Sequence, residues 1–255
     1  VTRGLVRALS LFTILPVRTS PDLTSAQARR AVLWLPAVGL LLGALAGLPG
    51  AAVRAWAGHA GLLGATLSVT ALAVLTRGLH LDGLADTADG LGSRAPGPRA
   101  LEIMRQSDIG PFGVVTLILV LGCEVGALDG TVGNSWTPVA AIAVAAATGR
   151  LSVLHATLPA IPTAHSEGFG ALVRGAATAR VAVIETALVL SAGAGLAYWV
   201  GDDAAWWVGT QAVALIVTMA LRRQTTNRFG GTTGDVFGSL VEVGTVITLV
   251  GIALI

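Results

Sequence analysis

The feature that most constrains this chain is the length of its apolar runs. Windows at roughly 31–49, 60–77, 111–129, 137–158, 180–200, 205–222 and 238–255 are almost free of charge, and about 20 such residues are enough to carry a helix across a bilayer. These are long runs, not the short alternations of an amphipathic core. Only 12% of the residues are charged, about half the share usual in soluble domains, so water is not the main solvent. The chain reads as one all-α domain over 1–255, a polytopic integral membrane helical bundle with about seven transmembrane helices. The shorter apolar stretch from Leu5 to Val17 is interrupted by Pro16, which makes 1–28 an interfacial or re-entrant segment. It lacks a typical cleavage region, so no cleavable signal peptide is expected.

Sidedness follows from arginine, because positively charged loops stay in the cytoplasm. All 16 basic residues are Arg. With Arg29 and Arg30 inside, alternate inner loops carry every other arginine except Arg54, and the opposite loop at Asp202 and Asp203 is acidic. This places 78–110, 159–179 and 223–237 together on the cytoplasmic side, where the active site is expected. The net charge of +2 is small and dispersed, which argues against nucleic acid as a partner. The single Cys123 rules out a disulfide framework and thiolate zinc chemistry.

The densest polar signal is the run from Leu79 to Gly90, with Asp82, Asp86 and Asp89 at its core. At i, i+4 and i+7 a helix brings these three onto one face. Like charges so close repel unless cations lie between them, and all-oxygen ligands suit Mg²⁺, Mn²⁺ or Ca²⁺. Seven residues of helix rise about 10.5 Å, which suits two ions, or one ion and a bridging phosphate, better than one shared ion. Gly83 and Gly90 would let a substrate approach the backbone. A solvated helix end without ligand is the plain alternative, but ionisable groups at a membrane border tend to mark function.

A second run, Phe229 to Gly238, holds Gly231, Thr233, Gly234 and Asp235 on the same side. Its amides can face phosphate, Asp235 can complete the metal site, and Glu242 follows on the same helical face. A plain turn would use the same glycines. In the third segment, Leu101 to Gly113, Glu102 and Arg105 form an ordinary i,i+3 pair unless Arg105 takes a phosphate. His80 points off the acidic face, as a capping or packing residue or a base. His155, which follows Arg150 near the inner end of a span, is a weighed substrate contact. Glu124 and Glu185 lie in apolar windows and stay outside the predicted site. No Rossmann, Walker or Ser/His/Asp pattern is present.

These residues resemble the cobalamin synthase family, the adenosylcobinamide-GDP ribazoletransferases, whose signature is similar to His80-Leu-Asp-Gly-Leu-Ala-Asp-Thr-Ala-Asp-Gly90. The resemblance continues in Leu101 to Met104 with Ile109-Gly110 and Gly113, and in Gly230-Gly231-x-Thr233-Gly234-Asp235 with Gly238 and Glu242. Weaker echoes include Phe12-Thr13, Leu35-Pro36 with Gly39 and Gly43, and Arg150 followed by Glu167-Gly168. The pattern is departed from at Gln106, Asp108 and Ile14. The resemblance implies that α-ribazole, or its 5′-phosphate, attacks adenosylcobinamide-GDP at the phosphate next to cobinamide and that GMP leaves. It implies Mg²⁺ as cofactor, held by Asp82, Asp86, Asp89, Asp235 and Glu242, with one of the first three, Asp89 for instance, accepting the hydroxyl proton. Substrate contacts fall to His80, Gly83, Glu102, Arg105, Arg150, Arg228, Gly231, Thr233 and Gly234. The implied setting is the bacterial cytoplasmic (inner) membrane, in a bilayer-embedded chain compatible with a homo-oligomer. Two rivals share part of the pattern. A CDP-alcohol phosphotransferase opens with Asp-Gly-x-x-Ala, like Asp82 to Ala85, but has Arg where Asp86 stands. A divalent-cation transporter would carry its carboxylates nearer mid-membrane.

Overall fold

The computed structural model describes residues 2–20, 22–58 and 61–255. Position 60, where one predicted window begins, and positions 1 and 21 of the N-terminal segment lie outside the described residues. Those described form helices joined by short loops, and the only β pairing among them is an isolated bridge between Thr163 and Thr232. In chain order the helices are α1 (Thr2–Phe12), α2 (Ser25–Val32), α3 (Leu35–Ala57), α4 (Gly61–Leu75), α5 (Leu79–Gly92) and α6 (Gly97–Met104). The order continues with α7 (Pro111–Gly130), α8 (Thr137–Ala156), α9 (Phe169–Val173), α10 (Ala179–Val200), α11 (Ala204–Phe229) and α12 (Gly234–Ile252).

Six of these, α3, α7, α8, α10, α11 and α12, are long and apolar enough to cross a membrane; α4, at 15 residues, reaches that length only if counted with α5 across a 90° break, which would make seven. The chain is a polytopic helical membrane protein. Some boundaries move from the predicted windows for local reasons. The first window splits because Pro36 starts a new helix at α3, while α2 begins separately with a capping box of Thr24 and Gln27. Helix α11 runs past residue 222 through Arg222, Arg223 and Arg228, polar turns that extend the rod beyond its apolar stretch. Helix α1, at 11 residues, is about 16 Å long and too short to span.

The loops segregate to two ends as the alternate-loop map requires. At one end Arg54 Nη1 donates to the Gly133 carbonyl (3.3 Å), Asn134 Nδ2 to the Val200 carbonyl (2.8 Å) and Trp206 Nε1 to the Gly251 carbonyl (2.8 Å). At the other, Ile14 N–H donates to the Leu75 carbonyl (2.8 Å), and Ala164 and Thr232 tie the 160s loop to the start of α12 at 3.1 and 3.0 Å.

Helix α8 is the axis of the bundle, with 94% of its apolar window buried. It is built largely of Ala, Thr, Ser and Gly. Between helices in lipid, small residues permit the close backbone approach that drives association. The Gly39-Gly43-Gly47 row of α3 uses this: a Cβ there would lie 2.5 Å from Ala146 O, 2.5 Å from Ile142 O and 2.8 Å from Val139 Cα.

The turn between α4 and α5 sets up everything that follows. Arg77 (φ 56°) and Gly78 (φ 66°) both adopt left-handed backbone, and the two helices meet at 90°. Helix α5 therefore lies across the bundle end instead of continuing through it. Arg77, which bears the strain of a non-glycine residue in that region, donates from Nη2 to the Leu11 carbonyl at 3.0 Å.

Replacing Gly43 by Val should remove most folded protein, because the new side chain would strike the α8 backbone. Gly122→Ala, where a Cβ meets nothing within 4 Å, should be neutral or stabilising by up to about 1 kcal/mol. Yield of monodisperse protein in detergent and thermal midpoint would show it; equal behaviour of the two variants would contradict the packing.

Candidate active site

Helix α5 is continuous through the acidic run, so Asp82, Asp86 and Asp89 do form a stripe. They differ in depth: Asp82 is exposed, Asp86 half-buried and Asp89 buried. The stripe is held against the first turn of α12 by a backbone contact. A Cβ on Gly83 would lie 2.7 Å from Asp235 O, and one on Gly238 would lie 3.0 Å from His80 O. The sequence predicts that Gly83 and Gly90 open the backbone to substrate; instead Gly83 admits α12, and Gly90 packs against Met104, whose Cγ a Cβ would meet at 2.7 Å. Thr233 caps α12, accepting from Val236 N–H at 3.2 Å and donating to Asp235 Oδ2 at 3.3 Å.

The crossing brings carboxylates from two helices into one cavity of about 390 Å³, lined by Asp82, Asp86 and Asp235 with Arg105, Gln106 and Ser107. Burial, followed by the negative charges of Asp82, Asp235 and Asp89, pushes the Asp86 carboxyl up to about 7. Three carboxylates and one guanidinium, that of Arg105, line the cavity. Among the described residues no three His, Cys, Asp or Glu side chains are grouped so as to hold a metal ion by themselves. The donor set does fit an ion shared with a phosphate, since Mg²⁺ keeps several waters and binds through one or two carboxylates plus substrate oxygens.

Asp89 and Glu242 do not line this cavity. The Asp89 carboxylate accepts from Gly110 N–H at 2.7 Å and from Gly113 N–H at 3.0 Å, so both oxygens cap the positive N-terminal end of α7. That is a structural duty, and it turns both Asp89 oxygens toward α7 and away from the cavity that Asp82 and Asp86 line. Glu242 is buried in the bundle interior, where its nearest influences are Arg150 and Glu124. Arg150 is 1% exposed and donates from Nη1 to the Ala146 carbonyl at 3.0 Å. His80 is buried beside this group, and His80 Nδ1, Arg150 Nε and Glu124 Oε1 have no protein hydrogen-bond partner among the described residues. His80, Arg150 and Glu242 therefore form a second polar cluster, joined by Glu124, which the sequence leaves outside the site. His155 bonds Thr186 at 2.8 Å.

The remaining predicted residues divide. Glu102 pairs with Arg99 at 2.6 Å on the surface, not with Arg105, and Arg105 is left to line the cavity. Arg228 is half-buried at the end of α11, and its side chain lines neither this cavity nor the next. Gly231 packs against the backbone of Thr163 and Ala164. Thr233 and Gly234 line a neighbouring cavity of about 420 Å³, together with His165, Glu167 and Phe169. The sequence points to that loop only through the Glu167-Gly168 echo; its signal is the polar run His165-Ser166-Glu167 at the arginine-rich end.

The chain matches the family described as Cobalamin-5-phosphate synthase over residues 4–253. It is 42% identical over 272 residues to an adenosylcobinamide-GDP ribazoletransferase of Frankia casuarinae, covering 97% of this chain and 93% of the relative. A protein of the same name from Klebsiella pneumoniae strain 342 is 36% identical over 250 residues, covering 96% and 97%. One from Nocardioides sp. is 35% identical over 242 residues, covering 95% and 94%. No solved structure matches the chain.

Asp89→Ala should lower stability by about 1–3 kcal/mol through two orphaned amides, seen as a lower thermal midpoint in detergent. Asp82→Ala, at an exposed position, should leave that midpoint unchanged. An unshifted midpoint in Asp89→Ala would contradict the capping role.

Proposed function

The chain belongs to the cobalamin-5-phosphate synthase family, and from that membership we propose that it joins adenosylcobinamide-GDP to α-ribazole, or to its 5′-phosphate, with release of GMP. The observation that carries this reading is the meeting of Asp82, Asp86, Asp235 and Arg105 in one cavity at the arginine-rich end of the bundle. That end faces the cytoplasm of a bacterial inner membrane on the positive-inside rule. The family match extends over nearly the whole chain and supports neither the lipid-synthesis nor the transporter alternative.

In this reaction a ribose hydroxyl oxygen attacks the phosphorus on the cobinamide side of the diphosphate. A new O–P bond forms, the bridging P–O bond breaks, and GMP departs with the bridging oxygen. The hydroxyl proton passes to Asp86, a carboxyl poised near neutrality, where a general base works best. Arg105 neutralises non-bridging oxygens as a fixed cation with a planar fork of donors. Asp82 and Asp235 would hold Mg²⁺ together with diphosphate oxygens. When bound, that ion lowers the charge repelling the attacking oxygen and stabilises the leaving one.

The test is GMP release from adenosylcobinamide-GDP and α-ribazole by the purified full chain, with and without chelator. We expect chelator to abolish release, and Asp86→Asn to lower kcat by about 100-fold or more. Because Asp86 must be unprotonated to act, and its carboxyl is held up to about 7, the wild-type rate should fall below neutral pH and level off above it. A chelator-insensitive reaction would overturn the metal, and a fully active Asp86→Asn would overturn the base.

A further inference from the structure

The two cavities share a wall. Met104, Arg105 and Asp235 line both, whereas Asp82 and Asp86 line only the smaller and Glu167 and Phe169 only the larger. Displacement at phosphorus runs with attacking and leaving oxygens roughly in line, on opposite sides of the reacting atom. A diphosphate held at the shared wall therefore sends its leaving nucleotide into one lobe and meets its acceptor from the other.

On the proposed transferase reading, on which this inference rests, each lobe must take a nucleoside. Volumes of about 420 and 390 Å³ do not tell them apart. Hydrogen-bonding chemistry does. Guanine presents an N1–H and a 2-amino group side by side, a pair of donors that one carboxylate accepts together. The methylated benzimidazole of ribazole, once glycosylated, has no N–H and would leave a facing carboxylate without a partner. The larger lobe has such a carboxylate away from the reacting centre: Glu167 is exposed and sits on its lining beside His165. Phe169 provides a fixed apolar wall, braced edge-on by Phe12 at 5.7 Å and by Phe237 at 6.3 Å. In the smaller lobe the carboxylates stand at the reacting centre, and the rest of the lining includes apolar Ala85, Met104 and Ile109.

We propose that the larger lobe binds the guanosine half of the donor and that Glu167 reads its base. Ribazole then enters on the Asp86 side, where its hydroxyl meets the proton acceptor.

The experiment compares GMP release from the natural donor with IMP release from a donor carrying hypoxanthine, which lacks the 2-amino group, in wild type and Glu167→Gln. Wild type should show a KM about tenfold higher for the hypoxanthine donor, the scale of one lost hydrogen bond to a charged group. Glu167→Gln should raise KM for the guanine donor by a similar factor and narrow the difference between donors, with kcat and the ribazole KM holding within about twofold. Equal KM values for the two donors in wild type would overturn the assignment whatever the variant does. So would a Glu167→Gln defect that falls on ribazole instead of the donor. Wild-type protein that releases nucleotide from neither donor would defeat the transferase reading itself, a failure separate from loss of base preference in an active enzyme.

Discussion

The contact on which the site depends is the backbone crossing of α5 and α12 at Gly83 and Gly238. Gly83 has no room for a Cβ and Gly238 only a tight fit, and that closeness sets Asp82 and Asp86 of one helix against Asp235 of the other. The 90° bend after α4 delivers α5 to this crossing from the side, so the acidic face lies over the end of the bundle. There it can meet water-soluble, charged substrates while the long helices remain in lipid. Glycine rows at the α3–α8 contact do the same work deeper in the molecule, by the same mechanism: in lipid, helix association rests on close packing, not on hydrophobic burial.

Within the acidic run the structure separates three aspartates that look equivalent in sequence. Asp89 anchors the start of α7, and through Gly110 and Gly113 it ties the loop carrying Arg105 to α5. Asp86 sits at the intermediate depth where burial and three neighbouring carboxylates favour its protonated form. Asp82 stays in solvent, free to accept a hydrated cation. A gradient of burial along one helix thus gives one repeated residue type three different surroundings, the ground on which the proposed roles of proton acceptor for Asp86 and cation ligand for Asp82 are divided.

Six of the seven predicted spans were legible because about 20 apolar residues without charge have few other fates, whereas the window at 60–77 holds a 15-residue helix that reaches spanning length only with α5, across a 90° bend. The grouping of Asp82, Asp86 and Asp235 was legible too: a helical period of 3.6 and an arginine map place them at the same end. What did not show was tertiary direction. Spacing puts Asp89 on the acidic face but cannot say that two amides twenty-odd residues later will take up its oxygens. Glu242 follows Asp235 by two helical turns, yet two turns lead down into the bundle, toward Arg150 and Glu124. Glu102 pairs with Arg99, one turn back on the same helix, while Arg105 at the C-cap lines the cavity. The lobe at His165 to Ala171 was nearly invisible, since it is a loop with little periodicity and its position depends on the clasp between Thr232 and the 160s.

The central claim is that these carboxylates face one another because a divalent cation and a diphosphate complete them. Mn²⁺ binding to the purified protein, followed by electron paramagnetic resonance with and without inorganic pyrophosphate, tests this most directly. The account predicts weak binding alone, binding about tenfold or more tighter with pyrophosphate, and loss of that gain in Asp82→Asn. Pyrophosphate-independent binding, or a gain that survives Asp82→Asn unchanged, would contradict it.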